Sequence, residues 1–144
     1  VVEFTGTGTG SKVTITGTPT SGQGKIIKYS FTLKSWFINN GNTYIQWSAA
    51  NTYCSRLSGY SLPTVQQLSG NSSYNDGQRG TLGGLWSEWG SLDSYSGGSG
   101  FSGNLYWSSE QKSSGSHYVV FLHYGFVYSH NDSNTNFVVC RQGL

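Results

Sequence analysis

Residues 43–70 read "TYIQWSAANTYCSRLSGYSLPTVQQLSG", and the period of this stretch decides the fold class. Trp47, Ala50, Tyr53, Cys54 and Leu57 recur at helical spacing, which gives a first helix one apolar face. Ser48 is its predicted N-cap and Gly59 its predicted stop. Pro63 holds Leu62 extended. Thr64 followed by Gln67 is a capping-box pattern. It predicts a short second helix that starts at Val65, turns Val65 and Leu68 inward and ends near Gly70.

On either side of this stretch the pattern is β. Upstream, "VVEF" (1–4) is a short strand and "SKVTITGT" (11–18) alternates, with Val13 and Ile15 on one face. "KIIKYSFTLKSWF" (25–37) is rich in β-branched and aromatic residues, and "NNGN" (39–42) is a turn. Downstream, "LYWSSE" (105–110) is a strand, "QKSSGS" (111–116) a turn and "HYVVFLHY" (117–124) a strand. Gly125 turns the chain into "FVYSH" (126–130), "NDSN" turns it again, and "TNFVVCRQ" (135–142) is the last strand. Between helices and strands, residues 70–105 are Gly/Ser-rich and irregular, with one helical turn expected at Leu85–Trp89. The order strands, helices, irregular segment, strands makes an α+β domain.

The 144 residues suit one domain with a real core. Aromatic residues are 15%, which argues against disorder, while charged residues are only 10%. Ser, Thr, Gly and Asn together number 68, so the surface is neutral and hydroxyl-rich. A net charge of +2 without a basic run leaves no nucleic-acid footprint. The two cysteines, Cys54 and Cys140, would be free thiols in a cytosolic protein. In a charge-poor chain rich in Ser, Thr and Gly, an extracellular disulfide is the better reading. The chain shows no signal peptide, transmembrane run or lipid motif and starts at Val1, so it reads as a fragment of something longer.

Several segments now stand in a telling order. A strand ending "WF" (36–37) precedes a helix with a cysteine in its second half. "LPT" (62–64) opens a second helix, "YWSSE" (106–110) follows, and a meander ends in "VVCRQ" (138–142). Over roughly residues 29–142 this resembles the C-terminal, C-type-lectin-like domain of the intimin/invasin family of bacterial inverse autotransporter adhesins. The same layout also occurs in other bacterial lectin-like domains. The resemblance implies two short helices with antiparallel sheets, chain ends near each other, and a bridge from the first helix to the last strand. Cys54 and Cys140 match those two positions. It also implies a setting at the extracellular tip of a rod of immunoglobulin-like domains, held by a barrel in the outer membrane. Residues 1–25 would then be a β-strand lead-in or the end of a preceding immunoglobulin-like module, and residues 26–144 the adhesion domain.

Calcium-dependent sugar-binding lectins carry Glu-Pro-Asn or Gln-Pro-Asp and later Trp-Asn-Asp. The prolines here are Pro19 and Pro63, and the interval where the calcium loop would lie is just "QKSSGS". Calcium takes about six to eight oxygen ligands, and six carboxylate side chains scattered along the chain supply no such cluster. No metal and no cofactor is expected. His117 and His123 share strand parity but lie about 20 Å apart along a strand, too far for one metal. The turn at Gly125 leaves room for His123 and His130 to meet, but no Cys or carboxylate is fixed beside them, so the histidines are read as structural or surface residues.

Glu88, Asp93, Glu110 and Asp132 are the candidate acids, but no flanking motif pairs them for glycoside hydrolysis. No Gly-x-Ser-x-Gly elbow joins a strand to a helix, and the cysteines lack CxxC spacing, so the chain is read as non-enzymatic. Asn71-Ser-Ser and Asn131-Asp-Ser read as polar turns rather than glycosylation sites.

Trp36, Trp47, Tyr53 and Trp107 fall at inward positions of regular elements and are read as core. Trp86 and Trp89 lie in the irregular insert, where i, i+3 spacing sets them side by side, either as a mini-core pinning the insert or as partly exposed contacts. Rings among Ser, Gly and Asn are the mixture used by antibody paratopes. The expected binding surface is therefore the insert 70–105 with the turn 130–134. Trp86, Trp89, Tyr95 and Phe101 are its anchors, Tyr74 and Tyr128 lie nearby, and Arg79, His130 and Asp132 are rim contacts. The function this predicts is calcium-independent adhesion to a host protein or glycoprotein, by a domain that is monomeric in isolation and does not itself enter a membrane. The competing readings are a metal-free carbohydrate-binding module, stacking sugars on Trp86 or Trp89, and a self-associating structural tip.

Overall fold

The computed structural model describes residues 4–41, 43–71, 76–95 and 98–144. The chain forms two compact units, one of residues 1–36 with 143–144 and one of residues 37–142. The first holds a hairpin of β1 (Lys12–Gly17) and β2 (Ile27–Thr32) in antiparallel register from Lys12 opposite Thr32 to Gly17 opposite Ile27. Alternation puts Val13, Ile15, Tyr29 and Phe31 on one face and Thr14 and Ser30, whose hydroxyls bond at 2.8 Å, on the other. Phe4 sits edge-on to both Phe31 and Trp36. Leu144 lies against Gly10, and its N–H donates to Lys34 O. The expected division at residue 25 falls within the loop of this hairpin. Val1–Glu3 of the expected strand "VVEF" lie outside the described residues, and Phe4 is not in a strand.

In the second unit, β3 (Ser35–Asn39), which begins in the first, enters a sheet of order β3-β8-β4, with β4 at Tyr60–Ser61 and β8 at Val139–Gly143. A second sheet has the order β5-β6-β7, a meander of Leu105–Ser113, Ser116–Phe121 and Phe126–Asn131. The segment between the sheets in sequence, Asn136–Cys140, is buried throughout. Asn136 bridges Ile45 and Phe137 bridges Tyr106. Its side chains alternate: Phe137 and Val139 enter one core cluster with Val65, Leu68, Tyr106, Val120 and Val127, while Val138 and Cys140 enter another with Ala50, Cys54, Leu62, Trp107 and Val119.

Three boundaries differ from the sequence reading. The stretch 25–37 is two strands broken at Leu33–Lys34. Strand β5 runs on to Ser113, leaving Ser114–Gly115 as the turn, because a bulge lets the polar "QKS" keep pairing with β6. Strand β6 ends at Phe121, and residues 122–125 form the turn, with Gly125 at φ +69°.

Helix α1 (Trp47–Ser55) is capped by Gln46 rather than Ser48, without a side-chain cap bond; the Gln46 amide instead donates to Ser133 O. Tertiary bonds fix its entry: the Trp47 indole N–H donates to Ser108 O at 2.9 Å and the Trp107 indole N–H to Ile45 O at 2.8 Å. Trp107 and Cys54 are fully buried, as expected. Tyr53 is not core, with 38% of its surface exposed; the inner face of this short helix is taken by Ala50 and Cys54, with Trp47 packed against the same cluster. Cys54 and Cys140 form the disulfide between α1 and β8. Helix α2 (Val65–Ser69) starts on the expected capping box: Gln67 N–H donates to Thr64 Oγ1 and Thr64 N–H to Gln67 Oε1. It ends at Gly70 in the left-handed conformation. Glu110 Oε2 accepts from Val65 N–H at 2.5 Å, a carboxylate at the positive end of the helix.

The disulfide closes a separation of 86 residues, and removing it releases about 4–5 kcal/mol of loop-closure entropy to the unfolded chain. Replacing both cysteines by alanine is expected to lower the midpoint of thermal unfolding by at least about 10 °C, read by circular dichroism.

Candidate functional site

Among its described residues the insert holds the short helix α3 (Leu85–Trp89) and a 3₁₀ turn further on. The docking of α3 needs glycine: a Cβ on Gly84 would lie 2.1 Å from Gly70 N, so α3 starts directly against the end of α2. Ser87 closes the first turn, accepting from Gly84 N–H and donating to Gly84 O. Leu85 is buried in the core cluster of α2 and the meander. Trp86 packs against that cluster and lies over the backbone of Gly77 and Gly125, where a Cβ on either would meet its ring within 2.6 Å. Its indole N–H donates to His123 O at 3.2 Å. Alongside, Gly77 N–H donates to Tyr124 O and Ser69 Oγ to Gly125 O, so the insert is sewn to the turn between β6 and β7. Of its two expected roles, Trp86 fills the mini-core one.

Arg79 supports the same element. Its Nε donates to Ser87 O at 3.0 Å and an Nη to Glu88 O at 3.2 Å, and its guanidinium lies 5.8 Å from the Trp86 ring centre. These bonds satisfy carbonyls at the C-terminal end of α3, where a cation is favourable. Arg79 is therefore a strut for the insert, and its side chain is exposed.

Beyond α3 the rings turn outward. Trp89 is 42% exposed and Tyr95 is 47% exposed, tied together by the Tyr95 hydroxyl donating to Trp89 O at 2.7 Å. Between them a 3₁₀ turn, Leu92–Ser94, is clamped to the β6–β7 turn by Ser91, Asp93 and His123. The Ser91 hydroxyl bonded to Asp93 holds that carboxyl below its usual range against partial desolvation, with His123 assisting. The trio has the composition of a catalytic triad but not its wiring. Ser91 Oγ and Asp93 Oδ2 both approach Nδ1 of His123, at 3.2 and 3.3 Å, whereas a relay needs acid and nucleophile on opposite ring nitrogens.

Phe101 packs against the core beside Tyr106, whose hydroxyl accepts from Ser102 N–H and whose ionisation burial pushes up to about 12. Tyr124 is 59% exposed at the β6–β7 turn, with its ring edge-on to His123. Sequence reasoning missed Tyr124 by extending β6 through it; the Tyr-Gly step before the turn was the available signal.

The other expected contacts are elsewhere. Tyr128 is exposed and packs on Phe126. His130 stands opposite His117, not His123, because the hairpin turns at residues 122–125. It bonds Asn136 Oδ1 and meets the Trp107 ring edge-on. Asp132 pairs with buried His117 at 2.7 Å, and His117 stacks on Trp47 at 3.6 Å. His130 is five residues along β7 from Gly125, about 16 Å. Trp89, Tyr95 and Tyr124 thus gather at one end of the meander, and His130 with Asp132 at the other. Tyr74 lies outside the described residues. Among the described residues no three of His, Cys, Asp and Glu are grouped to hold a metal ion.

The fold is a lectin-like domain of the bacterial adhesin type, its insert pinned onto a disulfide-bridged frame. The chain is a homologue of the inverse autotransporter adhesin YeeJ of Escherichia coli (strain K12), 40% identical over 121 residues that make up 84% of this chain and 5% of that adhesin. Its fold is that of invasin, a bacterial integrin-binding protein, with a TM-score of 0.71 at 22% identity over 94% of this chain and 26% of that one. No family model matches. The chain therefore spans a small part of each of these proteins. Inverse autotransporter adhesins and invasin are outer-membrane-anchored surface proteins with extracellular adhesion domains, the setting expected for this domain and one that suits its disulfide.

Two outcomes test this geometry. Gly84→Ala should destabilise the protein by about 1–3 kcal/mol in urea unfolding, since α2 and α3 must separate to admit the methyl group. Because the carboxyl of Asp93 is depressed, its contribution is present above the usual value of 3.8 and fades as pH falls through its own lower value. Asp93→Asn should therefore be slightly less stable than the parent at neutral pH, and the two should converge in acid melts.

Proposed function

We propose that this domain mediates bacterial adhesion by binding a host protein or glycoprotein without calcium and without catalysis. The observation that carries the reading is the set of exposed rings, Trp89, Tyr95 and Tyr124, held by hydrogen bonds and glycine contacts on a rigid frame. Rings fixed in advance supply contact area with little ordering entropy left to lose on binding. Phe101 and Trp86 support this face from beneath, Arg79 fixes its helix, and Tyr128, His130 and Asp132 belong to a separate, more distal part of the surface. Homology to an adhesin and the fold of an integrin-binding protein support a protein receptor. The exposed apolar face of the β1–β2 hairpin, with Ile27 and Tyr29, supports the reading that residues 1–25 lead in from an adjoining immunoglobulin-like module, since a two-stranded sheet is barely stable alone.

Trp89→Ala and Tyr95→Ala should each weaken binding to host cells by about tenfold or more while leaving the melting temperature nearly unchanged. Tyr53→Ala, on α1, should leave binding intact. Unaltered adhesion by both insert variants, with the fold preserved, would remove this face from the reading. Broad hits on a glycan array, unchanged by chelator, would favour a sugar-binding module, and concentration-dependent dimerisation a self-associating tip.

A further inference from the structure

Charge is unevenly distributed along the chain. The whole carries +2, yet residues 70–105 hold Asp76, Glu88 and Asp93 against Arg79 alone, a net −2 (three acids, one base). All five lysines, at positions 12, 25, 28, 34 and 112, lie outside the insert. The three insert carboxylates are exposed and neighbour the residues of the proposed face along the chain or through a backbone bond. Glu88 precedes Trp89 in α3, and Asp93 lies in the turn between Trp89 and Tyr95. Asp76 precedes Gly77, whose N–H donates to Tyr124 O. The insert's one permanent cation is committed, since the Arg79 guanidinium bonds the carbonyls of Ser87 and Glu88. The ring of His123 beside Tyr124 is turned by its Nδ1 toward Ser91 and Asp93.

We infer that this face takes a basic protein segment, one that presents Lys or Arg side chains to the rings of Trp89, Tyr95 and Tyr124 within the Asp76–Glu88–Asp93 rim. The inference rests on the proposed reading of the face and adds the chemistry of its partner. Indole and phenol faces attract a cation, the guanidinium of Arg above all, and the attraction grows when water is excluded. Carboxylates around the rings add long-range steering, which speeds encounter and weakens with salt. A sulfated or sialylated glycan would meet three carboxylates and a guanidinium already engaged, so its charge opposes binding.

The test titrates the 144-residue chain with synthetic Lys/Arg-rich peptides, with Asp/Glu-rich peptides of the same length and with heparin. The indole N–H signal of Trp89 is followed by NMR. Cationic peptides should shift that signal, with affinity falling about tenfold between 50 and 300 mM salt. Asp76→Asn/Glu88→Gln/Asp93→Asn, which keeps the side-chain shapes and one acceptor oxygen on each, should bind at least about tenfold more weakly and lose most of the salt dependence, with its fold checked by melting. Heparin shifts confined to residues 12–34 agree with the inference. A heparin shift at Trp89, or no shift there by any cationic peptide, overturns it. Host-cell binding that is lost in Trp89→Ala but unchanged in the neutralised variant overturns the charge assignment alone. Host-cell binding unaffected by Trp89→Ala overturns the face itself.

Discussion

Five consecutive buried residues, Asn136–Cys140, hold the second unit together. Their backbone bonds Ile45, Leu105, Trp107 and Asn40, so these main-chain groups keep their partners only while the surrounding segments stay in place. Their side chains alternate between two core clusters, a direct consequence of the two-residue period of a strand. A register slip of one residue would exchange the clusters and pull Cys140 away from Cys54. The disulfide therefore reinforces a register that burial already demands.

This frame lets an insert poor in regular structure stay fixed. The described residues of 70–105 bury few large side chains, and the Gly/Ser-rich backbone carries a high entropy cost of ordering. Three devices offset that cost: the Gly84–Gly70 approach that seats α3 on α2, Trp86 across Gly77 and Gly125, and the Ser91–Asp93–His123 clamp. Each attaches the insert to α2 or to the β6–β7 turn. The same glycines that suggest a linker are what permit this close contact.

Pinning divides the labour among the aromatic residues. Trp86 is held over backbone, while Trp89, Tyr95 and Tyr124 remain at the surface. A serine and an aspartate that share one ring nitrogen of a histidine are not wired as a relay; here they tie the loop to the β6–β7 turn. The carboxylates considered for catalysis have structural partners as well: Glu110 caps α2, Glu88 accepts from Gly83 N–H, and Asp132 pairs with His117. What such a surface offers is shape, rings and charge, which suit recognition.

Local signals were legible in the sequence because the forces behind them act within a few residues. The capping box at Thr64, the stop at Gly70, the turn of helix at Leu85–Trp89 and the parity of Val13 and Ile15 are of this kind. The pairing of Cys54 with Cys140 was legible from composition and from the resemblance, and the burial of Trp107 from strand pattern. Other features depended on distant chain. Gln46 replaces Ser48 as the cap of α1, whose entry is fixed by Ser108 and Ile45, and Tyr53 lies outward while Ala50 and Cys54 take the inner face of that helix. The expected surface separates because β6 ends three residues early, which brings Tyr124 to the insert and sets His130 and Asp132 at the far end of the meander. By itself the sequence determined which elements form, since capping, turn chemistry and period are properties of neighbouring residues. Only the tertiary structure decided which rings face water, because the exposure of Trp86 or Trp89 depends on whether bare glycine backbone from elsewhere in the chain comes to lie beneath it.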